Sequence, residues 1–219
     1  MFSTETRVLV RYAAPTVVFG LLTALEGTAP QSLYARLYVI KIAAVTVTLW
    51  LCRSTFRDIK VSSRGVGLAV VTGLVVVVTW VGLDKWIPYP HFGSRTGFDP
   101  YSLVDPTRRA AFLAARLYGL VVVVPIMEEL LLRSFVIRYA SDPDLSHVPV
   151  GNYSPLGFWV VVGLAAGSHP EWLSAIVANV AYNLLLGRTR SLFTTIVAHS
   201  VTNGALGVYI LTTHDWVFW

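Results

Sequence analysis

The residues of this chain best suited to chemistry are two adjacent glutamates, Glu128 and Glu129, which are followed by Arg133. All three lie within Leu120–Ile137, a stretch apolar enough for the hydrocarbon of a lipid bilayer. An ionisable side chain at the centre of a membrane costs roughly 2.5–3.5 kcal/mol, so this group needs compensating interactions. Three such groups in so short a stretch indicate more than a membrane anchor.

The two glutamates are not equivalent if this stretch is helical. Glu129 and Arg133 are four residues apart and share one helix face, which predicts an ion pair, while Glu128 points about 100° away. Arg133 would keep Glu129 ionised, which leaves Glu128 to face a cavity and act as a general base. Pro125 cannot donate to the carbonyl of residue 121, so we expect a kink that opens space beside the glutamates.

Two further polar sites lie in apolar surroundings. His169 follows the apolar run Phe158–Ser168, and the pair His199 and Asn203 projects from one face of Leu192–Leu211. A buried histidine alone is as consistent with a hydrogen bond to a carbonyl as with catalysis. Together with the glutamates, these residues supply what water activation needs, namely a carboxylate base, an imidazole and donors for an oxyanion.

Asn179, Asn183 and Glu171 are polar residues near these motifs, and each is consistent with two roles. Asn179 and Asn183, in another predicted span, either line a path for water to Glu128 or form hydrogen bonds between helices, which is the commoner role. Glu171, next to His169, either fixes the tautomer of that histidine or extends to the membrane interface.

A metal site is the main alternative to a metal-free mechanism. Glutamate and histidine are common zinc ligands, and catalytic zinc usually has three protein ligands. The H-E-x-x-H signature is absent, however, and His169 and His199 belong to separate predicted spans. We therefore expect no cofactor, with zinc as the alternative.

The composition indicates an integral membrane protein. Of its 219 residues, 55% are hydrophobic and 13% are charged, and the mean hydropathy is +0.63, which is typical of polytopic membrane proteins. We predict one integral membrane domain over residues 1–219, with the polar motifs in about 110–207. The cations behind the net charge of +5 lie at the ends of apolar runs, where they act as topology signals, so we expect no nucleic-acid partner.

Apolar runs predict an all-α, polytopic transmembrane helix bundle of about seven (six to eight) spans. The predicted spans are Val8–Leu25, Tyr34–Leu51, Val66–Leu83, a long helix within Ala110–Ala140, Pro155–Ser168, Trp172–Leu186 and Leu192–Leu211. Basic residues cluster between the second and third spans and between the sixth and seventh, which predicts that these loops and the amino terminus are cytoplasmic. Neither an internal repeat nor paired broken helices are visible, which argues against an inverted-repeat transporter.

The longest predicted loop, Asp84–Arg109, contains a segment rich in aromatic residues, glycine and proline from Trp86 to Pro100. Aromatic residues favour the headgroup level of a membrane, so we expect this segment to be irregular but ordered. It is either a lid that contacts substrate or an interfacial cap that closes the bundle. We assign no catalytic role to His91.

The polar motifs resemble those of a known family. EELLLR at Glu128–Arg133, His169 at the end of a span, and HSVTN at His199–Asn203 are similar in type and order to the motifs EExxxR, FxxxH and HxxxN. These motifs mark the CAAX prenyl endopeptidase and bacteriocin-processing (CPBP, or Abi) family of intramembrane proteases. Ala165 stands where the family has an aromatic residue, so the shape of the substrate pocket is less transferable. The Trp86–Pro100 segment also resembles a bacterial CAAX protease-related branch that is associated with exosortase systems.

The resemblance implies a glutamic intramembrane endopeptidase in a bacterial inner (plasma) membrane. The family residues that match Glu128 and His169 are thought to activate water, and those that match His199 and Asn203 are thought to stabilise the oxyanion. The second glutamate and the arginine of the first motif support the first glutamate. The implied partner is a membrane-anchored protein or peptide, cut near its carboxyl terminus.

Two functions of other classes remain open. A non-catalytic membrane-embedded chaperone or immunity-type binding protein would keep the Glu129–Arg133 pair but tolerate Glu128→Gln. A small proton-coupled transporter would also use buried acids and histidines, although the absence of repeats argues against it.

Overall fold

The computed structural model describes residues 4–93 and 97–219, without the side chains of Thr4 and Glu5. Residues 94–96 of the predicted lid or cap therefore lie outside the described residues. The main helices are α1 (Thr4–Thr28), α2 (Tyr34–Leu51), α3 (Val66–Trp86), α4 (Pro106–Tyr139), α5 (Pro155–Ser168), α6 (Trp172–Thr189) and α7 (Leu192–Thr213). Each predicted span coincides with one of these helices, and the described chain contains no strand, so the predicted all-α bundle is confirmed.

Four of these helices, α1 to α4, are long and apolar enough to cross a membrane. The 34 residues of α4 extend over about 50 Å at ~1.5 Å per residue. Because the hydrocarbon core of a bilayer is only about 30 Å thick, part of α4 must extend into the headgroup region. The apolar helix α5 is shorter, at 14 residues.

Local sequence signals account for where α4 and α5 begin. The carboxylate of Asp105 accepts a hydrogen bond from the backbone N–H of Thr107 at 2.9 Å, and proline occupies the first helical position. Ser154 caps α5 in the same way by accepting from Gly157 N–H at 3.1 Å, again with proline first. A side-chain cap followed by proline is a strong start signal because proline has no N–H that would need a partner there.

α3 and α7 pack closely where α3 has a glycine. A Cβ atom added at Gly73 would lie 2.5 Å from the carbonyl oxygen of Ala198 and 2.9 Å from the side chain of Val201. The carbonyl of Gly73 accepts a hydrogen bond from the hydroxyl of Thr202 at 3.0 Å. This contact holds α7, which carries His199, against α3.

α4 is not a uniform α-helix. Its turns are π-helical over Gly119–Val123 and Leu130–Val136, on either side of the α-helical Val124–Glu129. In the first π turn, the N–H of Val124 bonds to the carbonyl of Gly119, five residues earlier. The carbonyl that loses its donor at Pro125 is therefore that of Leu120, not that of residue 121 as a regular α-helix predicts. Such π-bulges often occur at functional sites.

A largely buried acid connects the first half of the chain to α4. The carboxylate of Asp58, which follows α2, accepts hydrogen bonds from the Tyr12 hydroxyl on α1 and the Ser134 hydroxyl on α4, the latter at 2.6 Å. Arg138, one turn further along α4, forms an ion pair with Asp58 at 3.2 Å. The end of α4 that follows the glutamates is thereby fixed to the amino-terminal helices.

A second charged group is buried among α1, α2 and α4. Lys41 forms an ion pair with Glu26 across α1 and α2. The Lys41 ammonium lies 4.7 Å from the centre of the Tyr38 ring, and the Arg116 guanidinium lies 4.5 Å from the same centre. Tyr38 thus lies beside two cations, neither of which belongs to the Glu128–Arg133 stretch.

Candidate active site

Glu129 is the centre of a buried cluster between α4 and α7. Its Oε1 atom accepts hydrogen bonds from Nη1 of Arg133 at 3.1 Å and from Nδ1 of His199 at 3.0 Å. The side chains of Glu129 and Arg133 are 0% and 1% exposed. The ion pair predicted from the four-residue spacing is therefore present, and it is fully enclosed by protein.

Arg133 also fixes this cluster to α6. Its Nε donates to the side-chain oxygen of Asn183 at 3.1 Å, and its Nη2 donates to that of Asn179 at 2.6 Å. The two asparagines therefore form hydrogen bonds between helices, which is the commoner of the two roles considered for them. An arginine whose fork is bonded on several sides has little freedom to move, so it holds Glu129 in place.

Glu128 has different surroundings from its neighbour. Its side chain is 24% exposed, and its Oε2 lies 3.9 Å from Nε2 of His199. That separation is too long for a direct hydrogen bond. A water molecule beside this gap would be able to bond to both groups. Within the described residues Glu128 makes no direct hydrogen bond, as expected for a carboxylate that keeps its lone pairs for water.

His199 links the two glutamates. One ring nitrogen bonds to Glu129 and the other faces Glu128. The imidazole stacks on the ring of Tyr182, with 5.3 Å between ring centres and 24° between planes. Tyr182 is not among the site residues predicted from the sequence. The polar positions 179 and 183 on α6 place residue 182 on the same helix face, which was the available signal.

Asn203 bonds to the carbonyl that proline leaves without a donor. Its Nδ2 donates to the oxygen of Leu120 at 2.9 Å. A side-chain amide nitrogen carries two hydrogens, so one remains for another acceptor. Asn203 therefore has a structural task in α4 beyond any role in chemistry.

His169 lies at the end of α5, in separate contacts. Its Nδ1 lies 2.9 Å from the Ala165 carbonyl and 3.2 Å from the Ser168 hydroxyl, and its ring packs edge-on against Trp80 at 5.7 Å. Donation from Nδ1 to the carbonyl leaves Nε2 as an unprotonated acceptor in the neutral ring. In the described part of the chain no ion pair joins His169 to Glu128. The structure thus brings Glu128, Glu129, Arg133 and His199 together by direct contact, but not His169.

The predicted lid or cap is packed on the turn that follows His169. The backbone N–H of Phe92 donates to the carbonyl of Pro170 at 3.1 Å, and the indole N–H of Trp172 donates to the carbonyl of Pro90 at 2.7 Å. The rings of Phe92 and Trp172 stack with 5.9 Å between centres. This part of the loop is therefore ordered, and it covers the turn that carries a candidate site residue.

His91, the histidine of this loop, is paired with Asp84. Nε2 of His91 lies 2.7 Å from Oδ1 of Asp84. The ring of Tyr89 packs against His91 at 4.7 Å and against Trp172 at 5.7 Å. Burial raises the pKa of the Tyr89 phenol above its ordinary value. These contacts give His91 a structural place in the loop.

An apolar groove of about 360 Å³ opens between α4 and α7 beside the cluster. Ile126 and Ile196 line it, each three residues before a cluster residue, Glu129 or His199. The other lining residues are Val121, Val122, Phe193, Val197, Ser200 and Val201. A groove with this lining suits an apolar chain that approaches from the bilayer.

Three ligands for a metal do not converge in the part of the chain that the structure describes. No group of three histidine, cysteine, aspartate or glutamate side chains there could hold an ion. The expectation of a cofactor-free site stays a prediction.

Comparison with known protein families gives a match in the second half of the chain. A family model described as Type II CAAX prenyl endopeptidase Rce1-like matches residues 110–205. No curated protein and no solved structure matches the chain. The matched range contains all three polar motifs, so the resemblance that they carry in the sequence is confirmed.

Proposed function

Because residues 110–205 belong to the Rce1-like family of type II CAAX prenyl endopeptidases, we propose that this protein is an intramembrane endopeptidase of the glutamic type. The supporting observation is the contrast between the two glutamates. Glu129 is buried and forms an ion pair with Arg133, whereas Glu128 is 24% exposed and faces His199 across 3.9 Å. Such a difference between adjacent carboxylates separates a supporting acid from a reactive one.

In the proposed reaction, Glu128 accepts a proton from a water molecule held beside its gap to His199. The hydroxide attacks the carbonyl carbon of the scissile peptide bond, and the carbonyl oxygen becomes an oxyanion. Glu128 then returns the proton to the leaving amine as the C–N bond breaks. A positioned general base of this kind contributes about 10²–10⁴-fold to a rate.

His199 and Asn203 are proposed to stabilise the oxyanion. This role requires a proton on Nε2 of His199 while Nδ1–H donates to Glu129, so the ring acts as an imidazolium. The Glu129 carboxylate is the counter-charge for that cation, and Arg133 holds the carboxylate in place. Asn203 would contribute the amide hydrogen that Leu120 does not use.

His169 is proposed to activate the attacking water together with Glu128. Its free Nε2 is a suitable acceptor for a proton from water, yet its observed contacts are to α5 and to Trp80. Catalytic hydrogen bonds are often long in the absence of substrate and shorten in the reactive complex. We propose that substrate binding shortens the distances from the attacking water to His169 and to Glu128.

The proposed substrate is a membrane-anchored protein or peptide, cleaved near its carboxyl terminus. The groove between α4 and α7 supports this because its apolar lining lies one turn from Glu129 and His199. The proposed location is a bacterial inner membrane with a cytoplasmic amino terminus. This orientation is supported by the basic residues that follow α2 and α6, which are Arg53, Arg57, Lys60, Arg64, Arg188 and Arg190.

The proposal is tested by cleavage of a carboxyl-terminal tail peptide, with and without a farnesyl group, by detergent-purified protein. We expect Glu128→Gln and His169→Ala to lower kcat at least about 100-fold. His147→Ala, whose side chain is 75% exposed, is the matched control and should keep full activity. A chelator should have no effect. Undiminished cleavage by Glu128→Gln would exclude the mechanism, and activity that is lost to a chelator and restored by zinc would replace it with a metal-dependent one.

A non-catalytic binding protein is the alternative, and it is favoured because the described contacts of His169 are to α5 and Trp80 and not to Glu128. Such a protein would use the buried cluster to hold a membrane partner as a chaperone or immunity-type factor. It predicts that no peptide is cleaved and that Glu128→Gln retains the partner as well as the unchanged protein does.

A further inference from the structure

Tyr182 on α6 belongs to none of the three motifs, yet its ring contacts residues from two of them. The ring stacks on the His199 imidazole, with 5.3 Å between centres and 24° between planes. The Arg133 guanidinium lies 5.5 Å from the centre of the same ring. Tyr182 is 3% exposed, so these contacts are enclosed within the bundle.

The Tyr182 ring is anchored at its far end. Its hydroxyl donates to Oγ1 of Thr202 on α7 at 2.7 Å. The Thr202 hydroxyl in turn lies 3.0 Å from the Gly73 carbonyl on α3, at the close contact between α3 and α7. Three helices therefore determine where the plane of this ring lies.

His199 needs such a surface because its own bonds leave one rotation free. The torsion between Cβ and the imidazole ring has broad minima, so the ring plane is not set by rotamer preference. One hydrogen bond, from Nδ1 to Glu129 at 3.0 Å, fixes a single ring atom. A flat neighbour on the ring face restricts the remaining rotation and so directs Nε2 toward Glu128.

We propose that Tyr182 is a positioning residue that acts through His199, holding the imidazole plane so that Nδ1 meets Glu129 while Nε2 faces Glu128. This inference rests on the peptidase function proposed above. Tyr182 need not touch substrate, because its effect is on the direction of the Nε2–H bond. In reactions of this type, a misplacement of about 1 Å can lower a rate about 100-fold.

The ring face also suits the charges beside it. Arg133 is a cation, and His199 becomes one in the proposed oxyanion role, so both are attracted to the negative face of an aromatic ring. The charged groups that face His199 from α4 are the carboxylates of Glu128 and Glu129. The aromatic ring therefore stabilises the imidazolium on a side where no described carboxylate is bonded to it.

Two substitutions at Tyr182 distinguish the effect of the aromatic ring on kcat from that of the hydroxyl. Tyr182→Phe keeps the stacked ring and loses only the bond to Thr202, so kcat should stay within about threefold. Tyr182→Leu removes the flat face, and kcat should fall at least about tenfold with KM within about twofold. Tyr38→Leu is the matched control, because Tyr38 is 2% exposed and also lies beside two cations, Lys41 and Arg116. It should lose stability but keep kcat below its melting temperature.

Equal losses of kcat in Tyr182→Leu and Tyr38→Leu would overturn the proposal, since both would then report general loosening of the bundle. So would a Tyr182→Leu protein whose kcat is unchanged. A second measurement does not depend on activity. In protein labelled with ¹⁵N-histidine, the His199 imidazole signals, assigned by His199→Gln, should shift or broaden in Tyr182→Leu and stay in place in Tyr182→Phe and Tyr38→Leu. Unmoved signals refute the positioning role, whereas a protein that cleaves nothing but shows the shift refutes only the peptidase function.

Discussion

Removal of Arg133 is expected to destabilise the protein severely, because it leaves a carboxylate in the bundle without its cation. In Arg133→Met, Glu129, which is 0% exposed in the unchanged protein, loses its bond to the guanidinium and keeps that from His199. The side-chain oxygens of Asn179 and Asn183 also lose their donor. Breaking a buried ion pair by removing one partner costs about 3–5 kcal/mol of unfolding free energy.

A second substitution tests the reason for that loss. Glu129→Gln in the Arg133→Met background removes the uncompensated charge, so the double variant should regain about 2 kcal/mol relative to Arg133→Met. The matched control is the Arg108–Asp105 pair, also within one turn at the start of α4 but 69% and 47% exposed. An exposed pair contributes about 0–1 kcal/mol, so Arg108→Met should be nearly neutral.

The assay is equilibrium unfolding in mixed micelles with rising dodecyl sulfate, followed by the fluorescence of the chain's seven tryptophans. If Arg133→Met and Arg108→Met lose the same stability, the buried network is not what holds α4 to α6. If the double variant is less stable than Arg133→Met alone, the uncompensated charge is not the cause.

Two further predictions concern helix packing and use the same assay. Asn203→Ala should cost about 1–3 kcal/mol because the Leu120 carbonyl loses its donor. In a Pro125→Ala background a backbone N–H replaces that donor, so the loss should fall below about 1 kcal/mol; additive losses would contradict this account. Gly73→Ala should cost about 1–3 kcal/mol, since its Cβ would lie 2.5 Å from a carbonyl oxygen of α7. Gly67→Ala, on the same helix with nothing within 4 Å, should be neutral or stabilising, and equal effects of the two would refute the close contact.

The helices and the ion pair were predictable because both depend on local spacing. Runs of apolar residues require helices in a bilayer, where every backbone group must be bonded internally. A spacing of four residues brings Glu129 and Arg133 together on any regular helix, and it separates Glu128 from both. The contrast between the two glutamates therefore follows from one short stretch of sequence.

What the sequence could not indicate depends on contacts between distant segments. The π turns of α4 shift the hydrogen-bond register by one residue, so the unpaired carbonyl belongs to Leu120, and Asn203 from α7 bonds to it. Neither residue carries a local signal of that pairing, because the bond joins residues 83 positions apart in the chain. The stacking of Tyr182 on His199 likewise requires the packing of α6 on α7, which no motif encodes.

The Asp58 carboxylate limits which amino-terminal segments can be joined to residues 110–205 in a chimera. Residues 110–205 contain Ser134 and Arg138, but the carboxylate that both contact, and the hydroxyl of Tyr12 beside it, come from outside that range. A chimera that joined this segment to an unrelated amino-terminal half would leave Arg138 without its counter-ion in the bundle. Such a graft must therefore carry an acid that reaches Arg138, which gives protein engineers a concrete criterion for choosing a compatible donor.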